Sequence, residues 1–297
     1  MQIRHQFDDD DSTATIYIEG LAEDLTILHL TDSHMVIGDE RDPEASEHVD
    51  HFSQLFGERT PGNVPSREVF DQTIERIRSQ SLDAAALTGD IIHFPAHAAI
   101  EHIEHGGETL GVPTLYTLGN HDWHFPHLPW STETRAAYYP RFYGLTGGNP
   151  ACQAIDIGGM RLITLDNSNY QVSPEQVEFL QQQLHSGLPC LLFIHIPLWI
   201  ESLAPAVMAQ WNAPIMMATQ DGWTGEQRQR WKVPDNWQST EACLNLLTAE
   251  DSSDNLAGIF CGHVHFPHID AFRTERYQYV TKPGFEGGYR LIHLKTT

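Results

Sequence analysis

Six short apolar runs, each ending in side chains able to bind a cation, constrain this chain more than any other feature of its sequence. Leu25 to Leu30 leads into Thr31-Asp32-Ser33-His34, and Asp83 to Leu87 into Thr88-Gly89-Asp90. Pro113 to Leu118 ends in Gly119-Asn120-His121-Asp122, and Arg161 to Leu165 in Asp166-Asn167. Cys190 to Ile194 precedes His195, and Leu256 to Phe260 precedes Cys261-Gly262-His263-Val264-His265. Continuous apolar runs of this length read as strands buried on both faces.

Helical signals lie between the runs, as a layered α/β protein requires. Ser66 is placed to cap a helix whose apolar face is Val69, Phe70, Ile74 and Ile77. Ser173-Pro174-Glu175-Gln176 combines a capping serine, proline at the first helical position and glutamine three residues after the cap. Near the C-terminus, Tyr277 to Val280 and Tyr289 to Leu294 read as two strands around a Gly-rich turn. Two segments, 35 to 65 and 198 to 240, break the alternation and read as insertions beside the active face of one domain spanning 1 to 297. The second carries Trp199, Trp211, Trp223, Trp231 and Trp237, which also suit the small core of a surface subdomain.

Charge narrows the partners. A formal charge of -23 repels a polyanion over most of the surface, so nucleic acid is not the expected partner. No apolar stretch approaches the length of a membrane span, and the N-terminus lacks the apolar core of an export signal. Cys152, Cys190, Cys243 and Cys261 show no metal or redox spacing, and read as reduced thiols of a cytoplasmic protein.

In open α/β sheets, ligands bind beyond the carboxyl ends of the strands. Asp32, His34, Asp90, Asn120, His121, Asp122, His195, His263 and His265 all follow expected strand ends. Singly, each is an ordinary turn or hydrogen-bonding residue. Jointly, imidazole and carboxylate are the mixed nitrogen and oxygen set that first-row transition metals accept.

These blocks, in this order, resemble the calcineurin-like metallophosphoesterases, whose signature runs D-x-H, G-D, G-N-H-D/E, a lone H, then G-H-x-H. The matching residues are Asp32-Ser33-His34, Gly89-Asp90, Gly119 to Asp122, His195 and Gly262 to His265. The resemblance implies a four-layer αββα sandwich of two mixed β-sheets flanked by helices. It implies one metal on Asp32, His34, Asp90 and His265, and a second on Asp90, Asn120, His195 and His263, with Asp90 as the bridge. The ions would be divalent or mixed-valence Mn, Fe, Zn, Co or Ni. It further implies hydrolysis of a small-molecule phosphomonoester or phosphodiester by attack of a metal-bound hydroxide. His121 would protonate the leaving oxygen, and Asp122 would orient His121 and favour its charged form.

Departures limit the substrate. Gly89-Asp90-Ile91-Ile92-His93 lacks the GDxVDRG extension of protein Ser/Thr phosphatases. His93 stands where purple acid phosphatases carry tyrosine, and His34 is kept where they lack the first histidine. Its role divides between gripping a phosphate oxygen and bracing the site. Trp123 and His124, in the aromatic run after Asp122, either line a leaving-group pocket or pin a loop. His48, His51, His97, His102 and His105 are expected at solvated positions. Two other readings are a catalytically silent scaffold, which would ordinarily have lost ligands that are all present here, and a nuclease, which the acidic surface disfavours. The sequence is silent on oligomeric state.

Overall fold

The apolar runs become the parallel strands of two sheets. A computed structural model describes residues 1–7, 10–219, 222–250 and 255–297. Asp8 and Asp9 of the acidic N-terminal run, and Gln220 and Asp221 of the 198 to 240 segment, lie outside the described residues. The strands are β1 (Ile3–Gln6), β2 (Thr13–Ile18), β3 (Leu25–Leu30), β4 (Ala84–Thr88), β5 (Thr114–Thr117), β6 (Cys152–Ile157), β7 (Met160–Leu165), β8 (Cys190–Phe193), β9 (Leu256–Cys261), β10 (His268–Arg273), β11 (Arg276–Val280) and β12 (Arg290–Thr296). The helices are α1 (Ser46–Gly57), α2 (Ser66–Ile77), α3 (His97–Leu110), α4 (Thr132–Tyr138), α5 (Pro174–Leu184), α6 (Ala204–Trp211), α7 (Gly225–Trp231) and α8 (Gln238–Thr248).

One sheet has the order β1-β2-β12-β3-β4-β5, the other β10-β11-β9-β8-β7-β6. Strands β3, β4 and β5 run parallel, as do β7, β8, β9 and β11, so the motif loops all emerge from carboxyl ends. Antiparallel β6 and β10 close the edges of the second sheet.

Side-chain alternation produces the layers. Ile27, Ala84, Ala86 and Leu115 of the first sheet meet Leu162, Leu191, Phe193, Ala257 and Phe260 of the second in a shared core. The intervening residues Leu28, Leu30, Ala85 and Leu87 face Phe70, Ile74 and Ile77 of α2 and Ile100 and Ile103 of α3. On the other side, Ile163, Leu165, Leu192 and Ile259 face Leu180 and Leu184 of α5 and Cys243 and Leu247 of α8. This period of two, buried on both faces, produces the expected helix-sheet-sheet-helix sandwich. No helix among the described residues is long and apolar enough to cross a membrane.

One local expectation is corrected, and the two expected C-terminal strands form but in different sheets. Ser66 is the first residue of α2 rather than its cap, and its hydroxyl donates to the His34 carbonyl at 2.8 Å. That bond ties α2 to a motif loop. The C-terminal strands do not pair around their turn, because β11 lies between β9 and β10 while β12 crosses to lie between β2 and β3. The crossing segment docks under the first motif, where Gly284 N donates to Thr31 O at 2.7 Å and Phe285 N to Asp32 O at 3.0 Å. By contrast, Ser173 and Gln176 form the expected capping box on α5.

Beneath the motif loops the two sheets share a polar layer. Arg290 of β12, fully buried, donates to Thr13 O at 2.8 Å and to Val280 O at 3.2 Å, joining both sheets. His29 of β3 bonds Thr88 Oγ1 at 2.7 Å and Thr281 Oγ1 at 2.8 Å. Burial, with the Arg290 charge adding to it, lowers the His29 pKa from 6.5 to about 3.

The sign of the linkage follows from that direction. Between pH 6.5 and about 3 the unfolded chain binds a proton that folded His29 refuses, so stability falls as pH drops through that window. One such group contributes a slope of about 1.4 kcal/mol per pH unit. Urea unfolding from pH 7 to pH 5 should therefore show a slope about one proton smaller in His29→Gln than in the parent; an unchanged slope would refute a neutral buried His29.

Candidate metal centre

Each motif loop leaves its strand through an abrupt backbone turn that throws successive side chains toward one point. Asp32 (φ 51°), His34 (φ 43°), Asp90 (φ 50°), His263 (φ 69°) and His265 (φ 59°) all occupy the left-handed region. Residues with a Cβ are uncommon there, and such positions cost on the order of 1–3 kcal/mol each unless the surroundings enforce them. The enforcement is visible in backbone bonds between loops: Asp32 N to Gly89 O at 3.0 Å, His34 N to Asp90 O at 2.8 Å and Gly262 N to His195 O at 3.0 Å.

The motif glycines are required by close approach. A Cβ on Gly119 would lie 2.2 Å from Asp90 Oδ1, and one on Gly262 would lie 2.0 Å from Thr31 Oγ1 and 2.2 Å from Asp32 Oδ2. Any side chain at either place would displace a carboxylate of the cluster.

The donors gather into two groups with Asp90 between them, and His34 lies in a third group with His93 and His121. Ligand atoms of Asp32, His34 and His265 lie within 4.8 Å of one another, as do those of Asp90, His195 and His263. Asp90 Oδ2 is 3.2 Å from His195 Nε2 and 3.8 Å from His34 Nε2, so it reaches into both groups. His265 Nε2 stands 3.3 Å from Asp32 Oδ1 and 3.2 Å from His34 Nε2.

Hydrogen bonds to the far side of the rings aim the near side. His195 Nδ1 donates to the Thr88 carbonyl at 2.8 Å, which leaves the Nε2 lone pair facing the cluster. His263 Nε2 bonds the Tyr170 hydroxyl at 2.9 Å, leaving Nδ1 free to coordinate. Asn167 Oδ1 accepts from the amides of His195 and Ile196 at 3.2 and 3.0 Å and fixes that loop.

Buried Asp32 Oδ1, Asn120 Oδ1 and His195 Nε2 have no hydrogen-bond partner. A buried polar atom left unpaired costs about 1–3 kcal/mol, and three at one point call for a shared cation. Titration behaviour agrees. Burial alone would raise Asp90, yet the imidazoles of His195 and His121 hold its carboxyl well below the usual carboxylate range. Asp32 is also lowered, its burial outweighed by the adjacent His265 imidazole. Burial lowers His263 to about 3 and pushes His34 well below its ordinary value. Burial also opposes charge on His195, but the adjacent Asp90 carboxylate raises it to about 10. Ionised carboxylates and mostly neutral imidazoles are the protonation states that bind a metal.

The remaining expected residues divide. His121 is half-buried on the wall of the cleft over the cluster, its ring stacked on His93 at 4.3 Å and its amide bonded to Asp90 Oδ1 at 2.8 Å. Burial lowers its pKa, with the imidazoles of His265 and His195 adding to the effect, which corrects the expectation of a favoured charged form. Asp122 does not orient the ring. Its oxygens accept from the backbone amides of Asp90 at 3.0 Å, Gly119 at 2.7 Å and Ile92 at 3.3 Å. Burial and the Asp90 charge raise the Asp122 pKa to about 7.

His93 lines the same cleft, with Nδ1 3.2 Å from His34 Nδ1. His124 lines it too, whereas Trp123 is buried, bonds Ser168 Oγ at 3.0 Å and borders a neighbouring cavity. Of the histidines expected in solvent, His51 and His105 are exposed, while His48, His97 and His102 are half-buried. Sequence reading missed Tyr170, Arg59 and Lys232, and it named Asn167 without giving it a role. Asn167 had a signal, its place after an apolar run. The cleft of about 430 Å³ is walled by Phe52, Phe56 and Arg59 from one insertion and by Trp211, Trp231 and Lys232 from the other.

The family model of the calcineurin-like phosphoesterases matches residues 25–267. The chain belongs to that family and is a metal-dependent hydrolase of phosphate esters. No curated protein matches it in sequence. Among solved structures, a dimetal phosphatase from Danio rerio is 12% identical with a TM-score of 0.51, covering 88% of each chain. A protein from Thermus thermophilus is 11% identical with a TM-score of 0.49, covering 90% of this chain and 93% of its own. A purple acid phosphatase from yellow lupin (Lupinus luteus) seeds is 13% identical with a TM-score of 0.48, covering 93% of this chain and 46% of its own. At these identities the likeness to the Danio rerio structure supports the fold.

Metal should stabilise the folded chain, since the cage is assembled only by folding. Mn²⁺ at 100 times its Kd adds about 2.7 kcal/mol per site, read as a rise in Tm. Asp90→Asn, which removes the charge common to both groups, should abolish most of that rise; a Tm indifferent to Mn²⁺ in the parent protein would count against the cage.

Proposed function

We propose that residues 1–297 form one metallophosphoesterase domain that hydrolyses the phosphomonoester or phosphodiester of a small molecule at a pair of transition metal ions. The observation that carries this reading is the shared position of Asp90 Oδ2, within 4 Å of a nitrogen from each donor group. Asp32, His34, Asp90 and His265 would hold one ion, and Asp90, Asn120, His195 and His263 the other. Mn, Fe, Zn, Co and Ni all suit this set. When bound, such a pair supplies Lewis acidity toward the phosphoryl oxygens and lowers the pKa of coordinated water toward about 7.

The protein's own groups do the rest. The Thr88 carbonyl and the Tyr170 hydroxyl hold the rings of His195 and His263 in place, so little reorganisation accompanies the reaction. Phe52, Phe56 and Trp211 narrow the space in which water competes. His121 stands on the cleft wall beside the cluster, where a proton on its imidazole can pass to the departing oxygen. Its lowered pKa makes the imidazolium a stronger acid, at the cost of a smaller protonated fraction at neutral pH. Asp122 acts at one remove, bracing the amides of Asp90 and Gly119 and so the loop that carries His121.

The substrate is a small anionic ester. Arg59 and Lys232 make the cleft locally cationic within a chain of charge -23, which favours a compact anion over a long polyanion. Cys190, Cys243 and Cys261 are buried and form no disulfide among the described residues, in keeping with a reducing compartment such as the cytoplasm.

A panel of nitrophenyl phosphate monoesters and diesters, assayed with added Mn²⁺, tests the reading. His121→Ala should lower kcat by about 10²–10⁴, the usual worth of a general acid, while metal content stays at the parent level. Turnover within twofold of the parent would remove His121 from the chemistry. Absence of hydrolysis with every metal offered would favour the silent scaffold.

A further inference from the structure

Beside the metal cleft lies a second cavity of about 560 Å³, within the range of about 300–1,000 Å³ typical of small-ligand sites. Its walls include Trp123, Trp130, Trp237, Asn169 and Lys232. Trp123 and Trp130 pack with ring centres 4.4 Å apart, and Trp237 stands at the rim, 39% exposed. Lys232 borders both this cavity and the metal cleft, so the two spaces adjoin across it. His124 fills the partition, lining the cleft while its ring lies 5.0 Å from Trp130.

Lys232 is unlike the other lysines. Lys282 pairs with Glu286 at 3.8 Å and Lys295 with Asp24 at 2.9 Å. Among the described residues Lys232 has no carboxylate partner, and its Nζ sits 5.1 Å from the centre of the Trp130 ring. It follows α7 in the left-handed conformation, φ 56°, which turns the chain there. A chain with 40 acidic residues thus keeps an unpaired cation at the junction of an aromatic cavity and a phosphate-ester site. A substrate complementary to this arrangement carries an anionic oxygen at Lys232 and a planar ring beyond it, where indole faces offer stacking and Lys232 supplies charge.

We propose that the tryptophan-lined cavity holds a planar aromatic ring of the substrate while Lys232 meets an anionic oxygen between ring and metal cleft, so that the preferred substrates are phosphate esters of aromatic or nucleobase-bearing alcohols. The proposal rests on the phosphoesterase reading above and gives its substrate class. Asn169 at the wall provides an amide to read polar atoms on the ring edge.

The test compares 1-naphthyl phosphate with glycerol 1-phosphate, and the methyl diesters of each, using Mn²⁺-loaded parent protein, Trp130→Ala, Trp237→Ala and Lys232→Met. The ratio of kcat/KM for the naphthyl ester over the glycerol ester should fall about tenfold in both tryptophan variants, mainly through KM, as expected for one lost stacking partner. Lys232→Met should raise KM for the naphthyl ester about tenfold, the loss of one charge-assisted contact. Because Trp130 packs on Trp123, Trp237→Ala is the variant that keeps the test valid if Trp130→Ala fails to fold. A ratio unchanged in Trp237→Ala would overturn the proposal. Should the parent hydrolyse none of these esters, the phosphoesterase reading is what fails. Calorimetric titration with 1-naphthyl phosphate then still reads the cavity: about tenfold weaker binding by Trp237→Ala supports it, and equal binding by parent and variant refutes it.

Discussion

Two carboxylates buried side by side need positive charge, and the rest of the centre follows from that need. Asp32 and Asp90 are almost entirely removed from water, and the Asp90 charge disfavours ionisation of Asp32. An isolated buried carboxylate is costly, and the neighbouring imidazoles of His34 and His263 are driven neutral by the same burial. Burial opposes charge on His195 too, but the adjacent Asp90 carboxylate pushes it toward its charged form. Carboxylates set among imidazoles whose charging burial opposes form an arrangement that a bound cation would relieve and that the fold itself must hold together.

The holding is done largely by backbone. Parallel strands deliver their loops to one edge of the sandwich, and bonds between adjacent loops keep five non-glycine residues in left-handed conformations. Asp122, Asn167 and the Gly284 crossing segment each tie loop amides or carbonyls rather than ligand rings. Rigidity at that level matters because coordination geometry tolerates errors of only tenths of an ångström. The two insertions contribute the outer walls of the cleft, among them Phe52, Phe56, Arg59, Trp211, Trp231 and Lys232.

The sequence made the centre legible because the family fixes both the ligand types and the strand ends that carry them. Central strands stood out as unbroken apolar runs such as Leu25–Leu30 and Leu256–Cys261. Strands β1, β2, β6 and β10 were not foreseen; β1, β6 and β10, with sequences IRHQ, CQAIDI and HIDAFR, are edge strands whose polar residues blur the pattern, and β2, TATIYI, alternates instead of running apolar. The crossing of β12 into the other sheet depends on partners more than 250 residues away in sequence, such as Thr13 and Arg290's bond to it, and no local signal encodes it. Asp122 was expected to orient His121, as members of one motif block, whereas the backbone turns its carboxylate onto amides. Tyr170 belongs to no motif block and Lys232 is one residue of the Trp-rich segment 198 to 240, so only tertiary packing reveals them at the site.

The claim on which all of this depends is that Asp90 lies between two ions. Anomalous diffraction from crystals of the Mn²⁺-loaded protein, recorded at the manganese absorption edge, addresses it directly. Two peaks about 3.5–4 Å apart, one on each side of the Asp90 carboxylate and flanked by His34 and His195, are predicted. A single peak, or metal bound away from Asp32 and Asp90, would contradict the account.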